Sequence, residues 1–293
     1  MEKKYIAPSE LPINEDGSVF HLHVKPEQLA HKIILVGDPG RVPMVASHFD
    51  QVECDVRSRE FRTITGTYQG KRISCVSTGI GCDNIDIVLT ELDALTNVDF
   101  TTREIKDEIQ QLEIVRIGTS GGLQPYTPVG TFVCSARSIG FDGVLNFYAG
   151  RNEVCDLPME HDFLQHMGWS GTLCAPASYA IHADEELVNR IAADDMVRGI
   201  TIAANGFYGP QGRDVRISPA DPNQNAKIET FEYDGLHITN FEMEGSAVAG
   251  LSKLMGHKAT TVCLIIANRL VKEMNTGYKN TIDSLIKTVL DRL

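Results

Sequence analysis

Five short segments carry side chains able to hold an anion, a sugar or a planar polar ring. Gly37-Asp-Pro-Gly-Arg41 follows an apolar run. A turn there can aim backbone N–H groups at an anion while Arg41 adds a charged fork. As a plain β-turn the same residues would be unremarkable, because Asp-Pro-Gly is common turn chemistry. Arg116-Ile-Gly-Thr-Ser-Gly-Gly122 sets an arginine in a strand before a turn rich in glycine and hydroxyls. A buried arginine needs an anionic partner, so this segment is a candidate phosphate cradle. It lacks both the Gly-Lys-Ser/Thr ending of a nucleotide-binding loop and the Gly-x-Gly-x-x-Gly spacing of a dinucleotide fold. Ser58-Arg59-Glu60-Phe61 opens a strand and reads equally as a solvated charge pair.

The other two segments suit a sugar and a base. Phe207-Tyr-Gly-Pro-Gln211-Gly-Arg213 places an amide and a guanidinium two residues apart. Together they can read a ring whose edge alternates carbonyl and N–H, with Phe207 stacked on its face. Phe241-Glu242-Met243-Glu244-Gly245 joins a strand to a helix. Its two carboxylates, at spacing two, share one side of an extended chain. One can grip adjacent hydroxyls while the thioether packs on a sugar face. Acids placed for a helix dipole would give the same pattern.

Short β-rich runs alternating with helical patterns must position these segments, as in an α/β fold. Strands are expected at residues 32–37, 62–68, 71–77, 114–117, 131–135, 199–204, 237–241 and 260–267. The pair 62–68 and 71–77 reads as a hairpin around Gln69-Gly70. Residues 84–97 have helical spacing, with Ile85, Val88, Leu89, Leu92 and Leu95 on one face. Further helices are expected at 183–193, 245–255 and 280–293. Residues 140–159 and 210–225 look like long loops, which in a compact domain often serve binding. No linker interrupts the chain, so residues 1–293 read as one domain with an N-terminal extension, 1–18.

The net charge of −12 disfavours nucleic acid and anionic membranes as partners. No apolar run approaches the roughly 20 residues of a membrane helix, and no apolar segment follows the N-terminal lysines. The expectation is therefore a cytoplasmic protein. Seven cysteines without a Cys-x-x-Cys pair, mostly in apolar surroundings, fit buried free thiols in a reducing compartment. The histidines form no zinc-binding pattern.

Taken together and in order, these motifs resemble the uridine phosphorylases of the nucleoside phosphorylase family. The resemblance rests on Val36-Gly-Asp-Pro-Gly-Arg41, Ser58-Arg-Glu-Phe61, Ser77-Thr-Gly-Ile-Gly81, Arg116-Ile-Gly-Thr119, Phe207 to Arg213 and Phe241-Glu-Met-Glu244. Val19-Phe-His-Leu22 and Asn268-Arg269 extend it from about residue 19 to the C-terminus. It implies a single α/β domain whose mixed, twisted, partly barrel-like sheet is flanked by helices. Gly37, Arg41, Arg116 and Thr119 would bind inorganic phosphate, the co-substrate. Arg59 would reach the phosphate site of a neighbouring subunit, and His21 would cross the same interface to the ribose 5′-hydroxyl. Met243 and Glu244 would hold the ribose. Phe207, Gln211 and Arg213 would hold uracil, supported by Arg269. Arg116, Glu244 and Arg213 would carry the catalysis.

The resemblance implies a pentosyltransferase without an organic cofactor, acting as a homo-oligomer of at least two subunits with shared sites. A hexamer of three dimers is the favoured assembly. Some relatives hold a potassium ion between subunits through a serine, Glu60 and the Ile80 carbonyl. Here Cys82-Asp83-Asn84 follows Gly81, so Asn84 stands at the serine's position. Purine-cleaving relatives carry an aspartate on the late strand where this chain has Ala267. That residue favours uridine over purine nucleosides and leaves thymidine and deoxyuridine open. A purine nucleoside phosphorylase, a nucleosidase and a non-catalytic nucleoside-binding protein remain as alternatives. A nicotinamide-dependent dehydrogenase would lack its glycine fingerprint. Residues 101–111 look like a surface elaboration.

Overall fold

The structure, a computed structural model, describes residues 4–169, 178–268, 270 and 272–293. Its first half runs β1 (Lys32–Val36), α1 (Val42–Ala46), β2 (Gln51–Ser58), β3 (Phe61–Tyr68), β4 (Lys71–Ser77), α2 (Cys82–Asn97), β5 (Val98–Asp99), β6 (Glu104–Ile105) and β7 (Glu113–Gly122). The second half runs β8 (Phe132–Gly140), α3 (Arg151–Val154), α4 (Leu157–Met167), β9 (Tyr179–His182), α5 (Glu185–Ala192), β10 (Val197–Ala203), α6 (Gln224–Thr230), β11 (Glu232–Tyr233), β12 (Leu236–Glu242), α7 (Gly245–Met255), β13 (Lys258–Asn268), β14 (Glu273–Met274) and α8 (Lys279–Arg292).

The main sheet has the order β11-β12-β10-β8-β13-β7-β1-β4-β3-β2. It closes partly on itself, because β12 also pairs with β7 through Asn240↔Gly122 and Phe241↔Gly121. Strands β12, β10, β8, β13 and β7 thus form a small barrel, and β1, β4, β3 and β2 extend it as an open wing. This is the mixed, partly barrel-like α/β architecture expected from the sequence. β1, β4, β7 and β13 run parallel, as do β8, β10 and β12. The two sets meet antiparallel twice, along β8 and β13 and at the last residues of β7 and β12. C-terminal strand ends from both sets therefore converge on one place, where α/β sheets characteristically bind ligands.

Helices α1, α5 and α8 pack on one face of the sheet, and α2 and α7 on the other. The apolar stripe of α2, Ile85, Val88, Leu89, Leu92 and Leu95, is buried as its spacing predicts. Each such side chain contributes about 1.5–3 kcal/mol on leaving water. The β3–β4 hairpin turns at Gln69 and Gly70, both with positive φ, the twist that suits a two-residue turn.

Several sequence expectations are corrected. Residues 118–122 are not a turn: β7 continues through Gly122, held by β13 on one side and by β12 at its end. Ser58-Arg59-Glu60-Phe61 does not open a strand; Arg59 and Glu60 form the turn between β2 and β3, with Arg59 at φ 54°. The sequence reading missed β2, a charged edge strand with no buried residue to betray it. It also missed β9 and α4, the latter beginning inside the supposed loop 140–159.

Residues 101–111 do have a partner within the chain. β5 and β6 form a small hairpin there, and Tyr5 bridges to Glu104. The Arg103 guanidinium donates to the carbonyls of Ile6, Ala7 and Leu11. The elaboration thereby clamps the N-terminal extension, whose Leu11 packs with Ala94 and Val98. Among the described residues no helix is long and apolar enough to cross a membrane. Six cysteines, all but Cys174, which lies outside the described residues, are free thiols.

Candidate active site

The converging strand ends enclose a cavity of about 920 Å³. Gly37 and Arg41 enter it from the turn after β1, Arg116 and Thr119 from β7, and Phe207, Gln211 and Arg213 from the loop after β10. Met243 and Glu244 enter from the β12–α7 junction, and Ala267 from β13. Glu60, Ile80 and Asn84 also line the wall. Most of the residues singled out from the sequence are therefore brought together from five separate strand ends.

Arg116, one of the lining residues, is only 4% exposed. Its Nη1 lies 3.1 Å from Glu242 Oε2, and its Nη2 donates to Glu244 Oε2. Burial alone would lower its pKa; the Glu244 and Glu242 charges outweigh that and hold it above the ordinary arginine value. Glu242 shifts up, chiefly through burial, with repulsion from Glu244 adding to it against the attraction of Arg116. Its carboxylate also accepts the backbone N–H groups of Glu244 and Gly245, each at 2.9 Å, and so caps the start of α7. Glu244 Oε1 accepts from the N–H of Gly81 at 2.7 Å. The expected ribose-binding carboxylate is thus tied to the Gly79–Gly81 segment and to the expected phosphate-binding arginine.

Arg41 lies near enough to Arg116 for the two charges to repel. Burial first and Arg116 among the further causes lower its pKa. Its Nη1 donates to the Ile117 carbonyl at 3.3 Å. Asp38 holds the turn beneath it by accepting from Gly40 N at 2.8 Å. Two buried guanidiniums thus line the cavity, that of Arg116 paired with Glu242 and Glu244 and that of Arg41 bonded to a backbone carbonyl.

At another part of the wall, Arg213 lies over the Phe207 ring, 3.6 Å from its centroid. Its Nη1 donates to the Phe207 carbonyl and, at 2.6 Å, to Gln211 Oε1. Burial lowers the Arg213 pKa. Phe207 is about half exposed, so its ring stacks on the guanidinium while keeping an open edge. The arginine and the amide are thereby tied to one another.

Two of the expected site residues do not line this cavity. Arg59 and His21 lie outside it and share a cluster around Phe20. The Arg59 guanidinium carbon is 5.4 Å from the Phe20 ring centroid, and the His21 and Phe20 rings meet edge-on at 4.9 Å. Arg269 lies outside the described residues.

Sequence reasoning overlooked the space that Gly118 provides, whereas the placing of acids at a helix start, one of its two readings of Glu242 and Glu244, holds for Glu242. A Cβ at residue 118 would stand 2.4 Å from Arg116 Nη1, so the glycine makes room for the guanidinium above it. The signal was present in Arg116-Ile-Gly118: residues two apart share a strand face. Asp38, Met274 and Tyr278 also line the wall and were not foreseen.

A family model described as the phosphorylase superfamily matches residues 31–290. The uridine phosphorylase of Thermococcus kodakarensis is 31% identical over 282 residues, covering 93% of this chain and 85% of its own. A DeoD-type purine nucleoside phosphorylase of Geobacillus stearothermophilus is 26% identical over 275 residues, covering 92% and 97%. Among solved structures, a Trypanosoma brucei nucleoside phosphorylase described as showing uridine phosphorylase activity superposes with a TM-score of 0.85 at 29% identity. That match covers 97% of this chain and 99% of the other.

Proposed function

The chain belongs to the phosphorylase superfamily, and on that premise we propose that it is a pentosyltransferase cleaving uridine with inorganic phosphate to uracil and ribose 1-phosphate. The observation that carries the choice of base is the Gln211–Arg213 pair in a wall that also contains the Ala267 methyl group. Breaking the glycosidic bond builds positive charge on the ribose and negative charge on the departing base. A uracil anion spreads its charge over two carbonyl oxygens and the ring nitrogen. Donors from Arg213 and Gln211 match those oxygens, so no general acid is required. A purine leaving group would call for an acid near N7, and Ala267 cannot supply one. Of the carboxylates in the wall, Glu242 and Glu244 are engaged by Arg116 and Asp38 by its own turn, while Glu60 lies in the turn between β2 and β3.

Phosphate in this scheme sits against Arg41, Arg116, Thr119 and the Gly37 backbone. It supplies the nucleophile and the counter-charge for the cationic ribose. Glu244 then grips the 2′- and 3′-hydroxyls, and Met243 packs on the sugar. For this to happen Arg116 must turn part of its fork from the glutamates toward phosphate. Its Nε makes no hydrogen bond among the described residues, so a donor remains for that purpose.

The reading extends to a homo-oligomer in which Arg59 and His21 complete the neighbour's site. Their joint position around Phe20, outside the cavity of their own chain, supports it. Glu60, the Ile80 carbonyl and the Asn84 amide offer oxygen donors that suit a potassium ion at that junction. A cytoplasmic location fits the acidic composition and the free thiols.

The decisive measurement is base release from uridine, thymidine and inosine, each with and without inorganic phosphate. Phosphate-dependent release of uracil is expected, with ribose 1-phosphate as co-product, and the thymidine rate sets the tolerance at the 2′ and 5 positions. Hypoxanthine release in preference to uracil would overturn the base assignment. Release without phosphate would make the protein a nucleosidase, and no turnover a binding protein.

A further inference from the structure

Helix α2 buries one carboxylate within an otherwise apolar face. Glu91 is 5% exposed, between Val88 and Leu92, which are fully buried. A carboxylate in such a place is costly unless several donors satisfy it. Here the donors come from one short arm about 70 residues earlier in the chain. His21 N donates to Glu91 Oε1 at 2.9 Å and Leu22 N to Oε2 at 2.9 Å. The third partner is a side chain: His21 Nδ1 lies 2.6 Å from Glu91 Oε1.

The two backbone bonds suffice to anchor the arm. The third fixes something else, the rotation of the imidazole and the identity of its free nitrogen. In the neutral ring, Nδ1–H donates to Glu91 and Nε2 is left as the acceptor. The ring is about a quarter exposed, and the edge-on Phe20 ring lies beside it. The same Phe20 carries the Arg59 guanidinium. One fixed patch therefore presents an acceptor nitrogen and a guanidinium away from the chain's own cavity.

We propose that Glu91 is a positioning residue that sets His21 Nε2 for the ribose 5′-hydroxyl in the neighbouring subunit's site, and so determines discrimination at the 5′ position. This rests on the uridine phosphorylase reading above. Glu91 itself touches no substrate; it acts through His21.

The test compares kcat/KM for uridine and for 5′-deoxyuridine at saturating phosphate, using the full chain. Wild type, Glu91→Ala, Glu91→Gln, His21→Ala and the Glu91→Ala/His21→Ala double variant are measured. The wild type is expected to favour uridine, and Glu91→Ala to lower that preference about tenfold or more, the scale of one hydrogen bond to a charged partner. The double variant should be no worse than His21→Ala alone. Glu91→Gln, which keeps the shape and an acceptor for the arm, covers the case in which the alanine variant does not fold, and its preference should fall as well. In ¹⁵N NMR of the wild type, the His21 proton of the neutral ring should sit on Nδ1.

Equal losses on both substrates, with the preference intact, would mark Glu91 as merely structural and overturn the proposal. So would losses that multiply in the double variant, or a neutral His21 protonated at Nε2. A wild type that releases uracil without any 5′ preference overturns this proposal alone. A wild type that releases no uracil overturns the functional reading and this proposal with it.

Discussion

At the scale of single residues, Arg116 lies between two buried carboxylates and has to share its fork with phosphate. Removing one member of a buried ionic group leaves the others uncompensated, at a cost of about 3–5 kcal/mol. Arg116→Ala should therefore lose phosphate saturation and lower the unfolding free energy, measured by urea denaturation, by an amount of that order. A variant with wild-type stability would mean that Glu242 and Glu244 do not depend on this arginine. Arg213 stands differently, on a loop and stacked on Phe207. Arg213→Ala should keep the fold and the phosphate KM while uracil release falls about a hundredfold or more, the usual effect of removing a donor to developing negative charge. Unchanged kinetics would remove Arg213 from the base site.

At the scale of elements, strand β7 delivers Arg116 only because Gly118 is bare. Gly118→Ala brings a methyl group into the space of Nη1, and the guanidinium must move. The expected result is a phosphate KM raised about tenfold or more, with a loss of stability smaller than that of Arg116→Ala, since the guanidinium is displaced from Glu242 and Glu244 rather than removed. Wild-type phosphate binding in that variant would show that the guanidinium relaxes freely. The β5–β6 hairpin has a mechanical role of its own, since Arg103 alone ties down three carbonyls of the N-terminal extension. Arg103→Ala should expose residues 5–14 to limited proteolysis at a faster rate while the sheet core stays protected. An unchanged cleavage pattern would mean that Leu11 packing and the backbone pairing of Tyr5 and Ile6 hold the extension without the guanidinium.

At the scale of the whole molecule, the cavity of one chain holds Arg41, Arg116 and Glu244, while Arg59 and His21 face elsewhere. Arg59→Ala and Glu244→Ala should each be nearly inactive. Mixed under conditions of subunit exchange, they should recover activity, because some hybrid sites pair an intact cavity with an intact neighbour. Absence of recovery after exchange has been verified by mass spectrometry would refute the shared site. Light scattering at assay concentration should correspondingly show no active monomer.

The sequence by itself was enough to identify the chemistry-bearing segments, four of the eight described helices and most of the buried strands. Apolar spacing such as Ile85-Val88-Leu89-Leu92-Leu95 reflects local geometry and burial, which neighbouring residues encode. Order alone also revealed the resemblance, since motif order survives when no single motif is decisive. It could not reveal β2, whose charged edge has no apolar period, nor the strand character of residues 118–122. That stretch is rich in glycine and extended only because β13 and β12 hydrogen-bond to it. Nor could it show that Arg116 is already held by Glu242 and Glu244, or that Arg59 and His21 share Phe20 away from the cavity. Those facts depend on residues from about 40 to more than 120 positions apart meeting in space: the closure of the sheet brings Arg116 to Glu242 and Glu244, and the packing of the N-terminal arm beside the β2–β3 turn brings Phe20 to Arg59.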